Sequence, residues 1–402
     1  MRPRVALAAG GATLVLVVSA CAFAWKGDSP LVPRNGGTPG GSAWAFLVLL
    51  SAAFVLYLAG LAAIRRNGAP FATAAALAVA IQVVPLGSPL LLSTDAWTYW
   101  SYGWIGARAD GNPYADPPDA FPGNPALHHM GAAWVDTTSV YGPAFTLASE
   151  PVAVAAGSSE DAAAWLFKAL AAAAAVAAAL LAARVAARRS LAVAFVGWNP
   201  VLAVHLAGGG HNDAWVGALL VAALALGSAR RLQAAGAAWA IAVLLKWVPL
   251  LFLALRALEA RSSRRPTAHL GFAVTFATVA ALATWRYGLA WPLAVVPLAG
   301  NAALETSYAL PHRLEQAGLP NGVALALAAA AFVVGFAWLA LQASRGRARL
   351  GLAAALVLAT TPYLAVWYLG WAVPLAGAEE DGTAKLACLV LTAYLLPQTI
   401  PL

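Results

Sequence analysis

Apolar runs alternate with short polar segments along the whole chain, at about residues 5–24, 43–64, 70–92, 143–157, 161–183, 190–206, 213–228, 233–258, 267–285, 321–343, 350–378 and 384–400. Most approach the roughly 20 residues that a helix needs to cross about 30 Å of hydrocarbon. None alternates polar with apolar side chains, so a membrane barrel is excluded and each span must pair its backbone within itself. The pattern predicts an all-α, polytopic transmembrane helical bundle of about 11 to 13 membrane segments, in a single domain over residues 1–402.

Basic clusters lie between the runs: Arg2 with Arg4, Arg65-Arg66, Arg184 to Arg189, Arg230-Arg231, Arg261 to Arg265 and Arg345 to Arg349. The excess of Lys and Arg in cytoplasmic loops puts them inside. Residues 25–42, 93–142, 207–213 and 286–320 are then outside. Two places strain the alternation. Two runs, 143–157 and 161–183, occupy a stretch where one crossing is required, and 233–258 has Arg on both flanks with Lys246-Trp247-Val248-Pro249 in its middle. Both read as broken or re-entrant pairs, which a bundle tolerates only where protein or a wet cavity covers the freed backbone.

Of the 402 residues 62% are hydrophobic and 10% charged, which excludes a soluble enzyme, a disordered chain and a fibrous repeat. The formal charge of +8 would suggest nucleic acid on a soluble protein; here it reports topology, with the lipid bilayer and its anionic headgroups as neighbours. The only two cysteines, Cys21 and Cys388, each lie inside an apolar run, so no disulfide framework or zinc site is expected. Val18-Ser19-Ala20-Cys21 has the form of a lipoprotein cleavage box, but with many later spans it reads as part of an uncleaved first helix.

The one long polar segment, 93–142, exceeds an ordinary connection and is read as a functional extracytoplasmic loop. At its start, Ser93-Thr94-Asp95-Ala96-Trp97 puts a carboxylate where lipid gives way to water. Partial desolvation there is expected to raise its pKa and suit it to accept a hydroxyl proton; the plainer alternative is a cap on the helix that follows. Gly111-Asn112-Pro113-Tyr114 and Tyr141-Gly142-Pro143 are turn formers whose amide and rings could line a sugar site. Gly208 to Asp213, preceded by Trp198-Asn199-Pro200 and His205, interrupts two apolar helices, and polar residues at such a break are a functional hypothesis by default. His205, His211 and Asp213 have no recognised metal spacing, and no metal is expected. Lys246 could meet a phosphate or reach for the interface. Arg286 and the pair His312-Arg313, on the side where positive charge is scarce, either grip phosphate or anchor at the interface. Tyr363 and Trp367-Tyr368 with Trp371 read locally as an interfacial aromatic belt.

Taken in order, these pieces resemble the GT-C superfamily of membrane glycosyltransferases, and in particular the actinobacterial polyprenol-phosphate-mannose-dependent alpha-1,6-mannosyltransferases. The elements that carry the resemblance are Asp95 with Tyr99 and Tyr102, Gly111 to Tyr114, Tyr141 to Pro143, Trp198 to Pro200, Gly209 to Asp213, Lys246, and Pro362 with Trp367, Tyr368 and Trp371. One departure is that Asp95 is followed by Ala96 and Trp97, where many of the superfamily carry a second acid.

The resemblance implies a plasma-membrane enzyme with its active site facing the extracytoplasmic side. It would move a sugar, mannose by the nearest likeness, from a polyprenyl-phosphate donor to a cell-envelope glycolipid or glycan, with inversion. Asp95 would be the general base, and Arg313, His312, Arg286 and Lys246 would hold the donor phosphate. Tyr99, Tyr102, Asn112, Tyr114, Tyr141, His211, Asn212, Asp213, Tyr363, Trp367 and Tyr368 would contact substrates. No cofactor and no soluble nucleotide sugar are expected. The alternatives are a lipid or sugar transporter, which the same broken helices fit, and a non-catalytic assembly partner.

Overall fold

A computed structural model describes residues 3–33, 40–264, 269–300 and 305–402; Arg2, Arg265 and part of the segments 25–42 and 286–320 lie outside the described residues. Among the described residues all regular secondary structure is helical. The N-terminal helices are α1 (Pro3–Ala22), α2 (Gly41–Asn67) and α3 (Phe71–Val83), followed by α4 (Asp95–Ala109) in the polar segment. Then come α5 (Pro143–Ala156), α6 (Glu160–Val185), α7 (Arg189–Gly197), the single turn α8 (Pro200–Leu202), α9 (Asp213–Ser228), α10 (Leu232–Leu245) and α11 (Pro249–Ser262). The C-terminal part adds α12 (His269–Tyr287), α13 (Val295–Gly300), α14 (Leu310–Gln316), α15 (Asn321–Ser344), α16 (Leu350–Thr360), α17 (Leu369–Ala378) and α18 (Gly382–Leu395).

The all-helical bundle is the one expected, and its apolar runs are carried by helices of two lengths. Among the described residues four helices are long and apolar enough to cross a bilayer alone, at Arg4–Trp25, Gly41–Asn67, Glu160–Val185 and Asn321–Ser344, and a fifth crossing is possible through a bent pair. Several other runs are carried by shorter apolar helices, because Pro, Gly and Asn interrupt them. The run 143–157 becomes α5, about 21 Å long by helical rise and too short to cross by itself. The run 233–258 breaks at Lys246 to Val248, as its motif predicts, and 350–378 breaks between α16 and α17.

The central helices pack closely because their facing residues are small. In α6 the buried residues include Ala171, Ala175, Ala178, Ala179 and Ala182, against which α9 and α17 lie. The break after α7 follows from its sequence. Asn199 takes the cap position, its Oδ1 accepting from the backbone N–H of Val201 and Leu202, and Pro200 needs no donor at the first helical position. The two halves bend by 43°. Carbonyls freed there are taken up by Gln82, whose Nε2 donates to Gly197 O at 3.1 Å and Asn199 O at 3.3 Å. A π-helical turn over Ala203–Gly208 follows, then Gly210 at φ +72°, delivering His211, Asn212 and Asp213 to the start of α9.

Gly142 joins the polar segment to α5 at a close approach. Its N–H donates to Leu245 O at 2.9 Å, and a methyl group on its Cα would run into the Leu244 carbonyl. This contact sets Tyr141 beside the end of α10, next to Lys246. We expect Gly142→Ala to lower stability by about 1–3 kcal/mol through overpacking, read as a fall in melting temperature in detergent. Gly322→Ala, where a methyl meets open space, serves as the control that stays put.

Candidate active site

Asp95 opens α4 at the end of an approach that is held rigidly. Leu91 N–H donates to Gly208 O at 3.0 Å, Leu92 N–H donates to Leu31 O at 2.9 Å, and Leu92 itself sits at φ +60°, costly for a branched side chain. Behind it, the Nζ of buried Lys168 donates to the carbonyls of Ser88 and Pro89. The strain is thus over-determined by bonds on three sides, and the carboxylate is aimed by them.

Capping does not engage the Asp95 carboxylate. Thr94 is the cap residue but makes no capping bond, and the only side chain serving the helix start is Ser93, whose Oγ accepts from Asp95 N–H at 3.2 Å. The Asp95 carboxylate instead faces the bundle. Tyr99 donates its hydroxyl to Oδ2 at 3.3 Å, and His211 Nδ1 lies 3.3 Å from the same oxygen, at ion-pair distance though not aligned as a hydrogen bond. Burial alone would raise the Asp95 pKa, as the sequence suggests, but the His211 ring, the Lys246 charge and the Ser93 hydroxyl outweigh it, so the carboxyl is held below the ordinary aspartate value. The raised pKa expected from desolvation is therefore corrected: opposite charge and donors win over burial.

Three other elements converge on this carboxylate. From the break after α8 come His211 and Asp213, both with no side-chain exposure. From the break between α10 and α11 comes Lys246, which donates to Asp213 Oδ1 at 2.7 Å. From the start of α17 comes an aromatic wall: Trp367 stacks on His211 at 3.9 Å, and the Lys246 Nζ sits 4.8 Å from the Tyr368 ring and 5.1 Å from Trp371. Tyr363 lies 6.3 Å from Tyr368. Beneath Asp95, the ring of Tyr99 meets Tyr141 and Phe145 edge to face at 5.2 and 4.9 Å. Asp95 and Lys246 each keep 17% side-chain exposure, so the cluster opens where its anion and its cation stand.

Several buried polar atoms here lack partners among the described residues: His211 Nε2, Asn212 Oδ1, Asp213 Oδ2 and Trp371 Nε1. Unsatisfied buried groups are costly, and a set of donors and acceptors beside an open carboxylate suits a polyhydroxylated ligand.

Other residues singled out in the sequence stand elsewhere. Tyr102 donates to Thr137 O at 2.8 Å. Asn112 Nδ2 donates to Tyr287 O at 2.7 Å, and the Tyr114 hydroxyl meets Tyr141 O and Thr146 Oγ1, so both tie the polar segment to α12 and α5. Arg286 pairs with Glu150 at 3.1 Å and donates to Gly106 O. Arg313, exposed, donates to the Tyr394 hydroxyl and to Gln316, while His312 stands with Glu305 and Glu315, their ligand atoms within 4.8 Å of one another.

The sequence reading assigns no role to Lys168 or Glu150, which turn out to be structural keystones. Glu150 accepts from Arg286 and, at 2.7 Å, from the Tyr287 hydroxyl, locking α5 to α12. The available signal was an ionisable residue inside an apolar run, which is costly unless it is bonded.

Two similar relatives are both named alpha-(1->6)-mannopyranosyltransferase A. The one from Mycobacterium tuberculosis is 31% identical over 147 residues, covering 35% of this chain and 28% of the relative. The one from Corynebacterium glutamicum is 26% identical over 257 residues, covering 57% of this chain and 51% of the relative. The chain thus spans about half or less of the length of the curated relatives it matches. No solved structure matches it. Residues 5–261, which carry Asp95, His211, Asp213 and Lys246, match the family described as alpha-(1->6)-mannopyranosyltransferase, N-terminal domain, and the chain belongs to that family.

Proposed function

We propose that this protein is a plasma-membrane mannosyltransferase of the inverting kind, moving mannose from a polyprenyl-phosphate donor to a glycolipid or glycan acceptor on the extracytoplasmic side. The observation that carries this reading is the ionised, partly exposed Asp95 facing an Asp213–Lys246 pair across a ring of aromatics and unpartnered polar atoms. Asp95 takes the proton of the acceptor hydroxyl as that oxygen attacks the anomeric carbon from the face opposite the departing phosphate. A positioned base contributes typically about 10² to 10⁴ in rate. The same anion favours the positive charge that develops on the sugar ring.

Of the four cations, we assign the leaving phosphate first to Lys246. Arg286 is committed to Glu150 and a backbone carbonyl, His312 has two carboxylates beside it, and Arg313 lies exposed against Tyr308 and Tyr394. Lys246 is caged by rings and bonded to one oxygen of a carboxylate whose second oxygen has no partner among the described residues, so its direction is fixed. His211 on Trp367, Asn212 and Tyr99 would bind sugar hydroxyls, with the ring faces of Tyr363 and Tyr368 stacking on the carbohydrate.

The pH dependence follows from Asp95. Its folded-state pKa is depressed, so its anion is present above the ordinary aspartate value and is lost only as pH falls through a still lower one. We expect kcat/KM to show no limb from Asp95 between about pH 8 and about pH 5. A limb in that window that disappears in Asp95→Glu would argue against this assignment.

The direct test incubates purified protein with radiolabelled polyprenyl-phosphate mannose and cell-envelope glycolipids. Label should enter a new glycosidic bond in an Asp95-dependent way. Label that changes leaflet with no new bond would make the protein a transporter instead.

A further inference from the structure

The ends of α6 and α9 remote from Asp95 carry a second feature. The Glu160 end of α6 touches the site helix, since Trp97 Nε1 donates to Glu160 O, while its far end carries Arg184 about 36 Å away by helical rise. Likewise α9 begins at Asp213 and ends at Ser228. At these far ends lies a cavity of about 600 Å³ lined by Arg184, Arg189, Arg231 and Ser228, with Leu181 and Leu226 as apolar wall.

The cavity is built for an anion. No carboxylate is among its lining residues, and among the described residues none of its three guanidinium groups is in an ion pair. Arg189 is laid over the Phe71 ring at 4.4 Å, which steadies its plane and leaves its N–H edge free. Arg189 opens α7, and Arg231 is the residue that precedes α10; neither helix has a side-chain cap, so first-turn N–H groups and the positive ends of two helix dipoles add to the field. Glu380 is the nearby acid, 3.4 Å from the Arg188 backbone nitrogen and partnered by Lys385 at 3.8 Å. The Ser228 hydroxyl donates to Ala225 O and retains lone pairs only.

We propose that this cavity binds a phosphate-bearing anion at the membrane face opposite Asp95. The phosphate oxygens sit in the forks of Arg184, Arg189 and Arg231, and the Leu181 and Leu226 wall takes the first carbons of the chain when the phosphate belongs to a lipid. It stands apart from the donor site and does not rest on the transferase reading.

The test compares the wild-type chain with Arg184→Gln/Arg189→Gln/Arg231→Gln and with a control of equal charge, Arg66→Gln/Arg345→Gln/Arg347→Gln. All six side chains are exposed, so folding is checked by melting temperature without added anion. If the first triple variant unfolds, Arg184→Gln/Arg231→Gln replaces it against a control reduced to Arg345→Gln/Arg347→Gln. Each protein is titrated with phosphatidylglycerol in phosphatidylcholine vesicles and, in detergent, with inorganic phosphate. We expect the cavity variant to bind phosphatidylglycerol at least about tenfold more weakly than both wild type and control. The same selective loss seen with inorganic phosphate and not with the lipid upholds the site and makes its occupant a free phosphate. Equal binding by all three proteins, or an equal loss in the control, overturns the proposal.

Discussion

Asp95→Asn is expected to fold, to bind donor lipid and to transfer no measurable mannose, a fall in kcat of at least about 10² to 10⁴. The exchange keeps shape and can still accept from the Tyr99 hydroxyl, 3.3 Å away, but it removes the charge that balances His211 and Lys246. The kept shape and Tyr99 bond preserve the fold, with at most a modest fall in melting temperature from the lost charge, while proton acceptance is abolished. The pair of readings matters: a melting temperature near wild type, an unchanged donor dissociation constant and a collapsed rate together isolate chemistry from folding. Wild-type turnover in this variant would remove Asp95 from the mechanism and leave the assembly-partner reading standing.

The second large effect concerns the Asp213–Lys246 pair. Lys246→Met strips the partner from a carboxylate that has no exposure, and Oδ2 of that carboxylate already lacks a bond. Breaking a buried pair by removing one partner typically costs about 3–5 kcal/mol, because the remaining charge is stranded. Lys246 keeps some exposure, so the lower end of that range is expected. The double variant Asp213→Asn/Lys246→Met carries no stranded charge and should recover most of the stability, yet remain unable to use donor. Melting temperatures of the single and double variants, read with the donor KM and kcat, separate the two roles. Recovery of transfer along with stability in the double variant would reduce the pair to a structural one and return the phosphate to Arg313 or Arg286.

How far these residues could be read from the chain depended on whether their partners are local. The break at Gly208 to Asp213 is local: three consecutive glycines, the last at φ +72°, dictate a stop and a restart wherever the helix lies, whereas the earlier stop at Asn199 falls inside a run that reads as continuous. The break before Pro249 is local in the same way, and both were legible. The direction of the Asp95 pKa shift was not, because it depends on a His more than a hundred positions away and on a Lys farther still. Arg286 looked free in sequence, and its partner Glu150 comes from α5. Asn112 and Tyr114 looked like ligand-facing turn residues, and they spend their polar atoms on Tyr287, Tyr141 and Thr146.

Chain order and hydropathy sufficed for an all-helical bundle in a bilayer, for the helix breaks at Gly208 to Asp213 and before Pro249, and for a polar segment opening on a carboxylate, since each of these follows from what neighbouring residues do to their own backbone. Which ionisable groups face one another, and hence which is the ionised base, which cation is held for a phosphate and which are consumed in tying helices together, emerged only once α4, α9, α10 and α17 were packed. Electrostatics between side chains falls off over a few ångströms, and the sequence does not say which distant residues come within that reach.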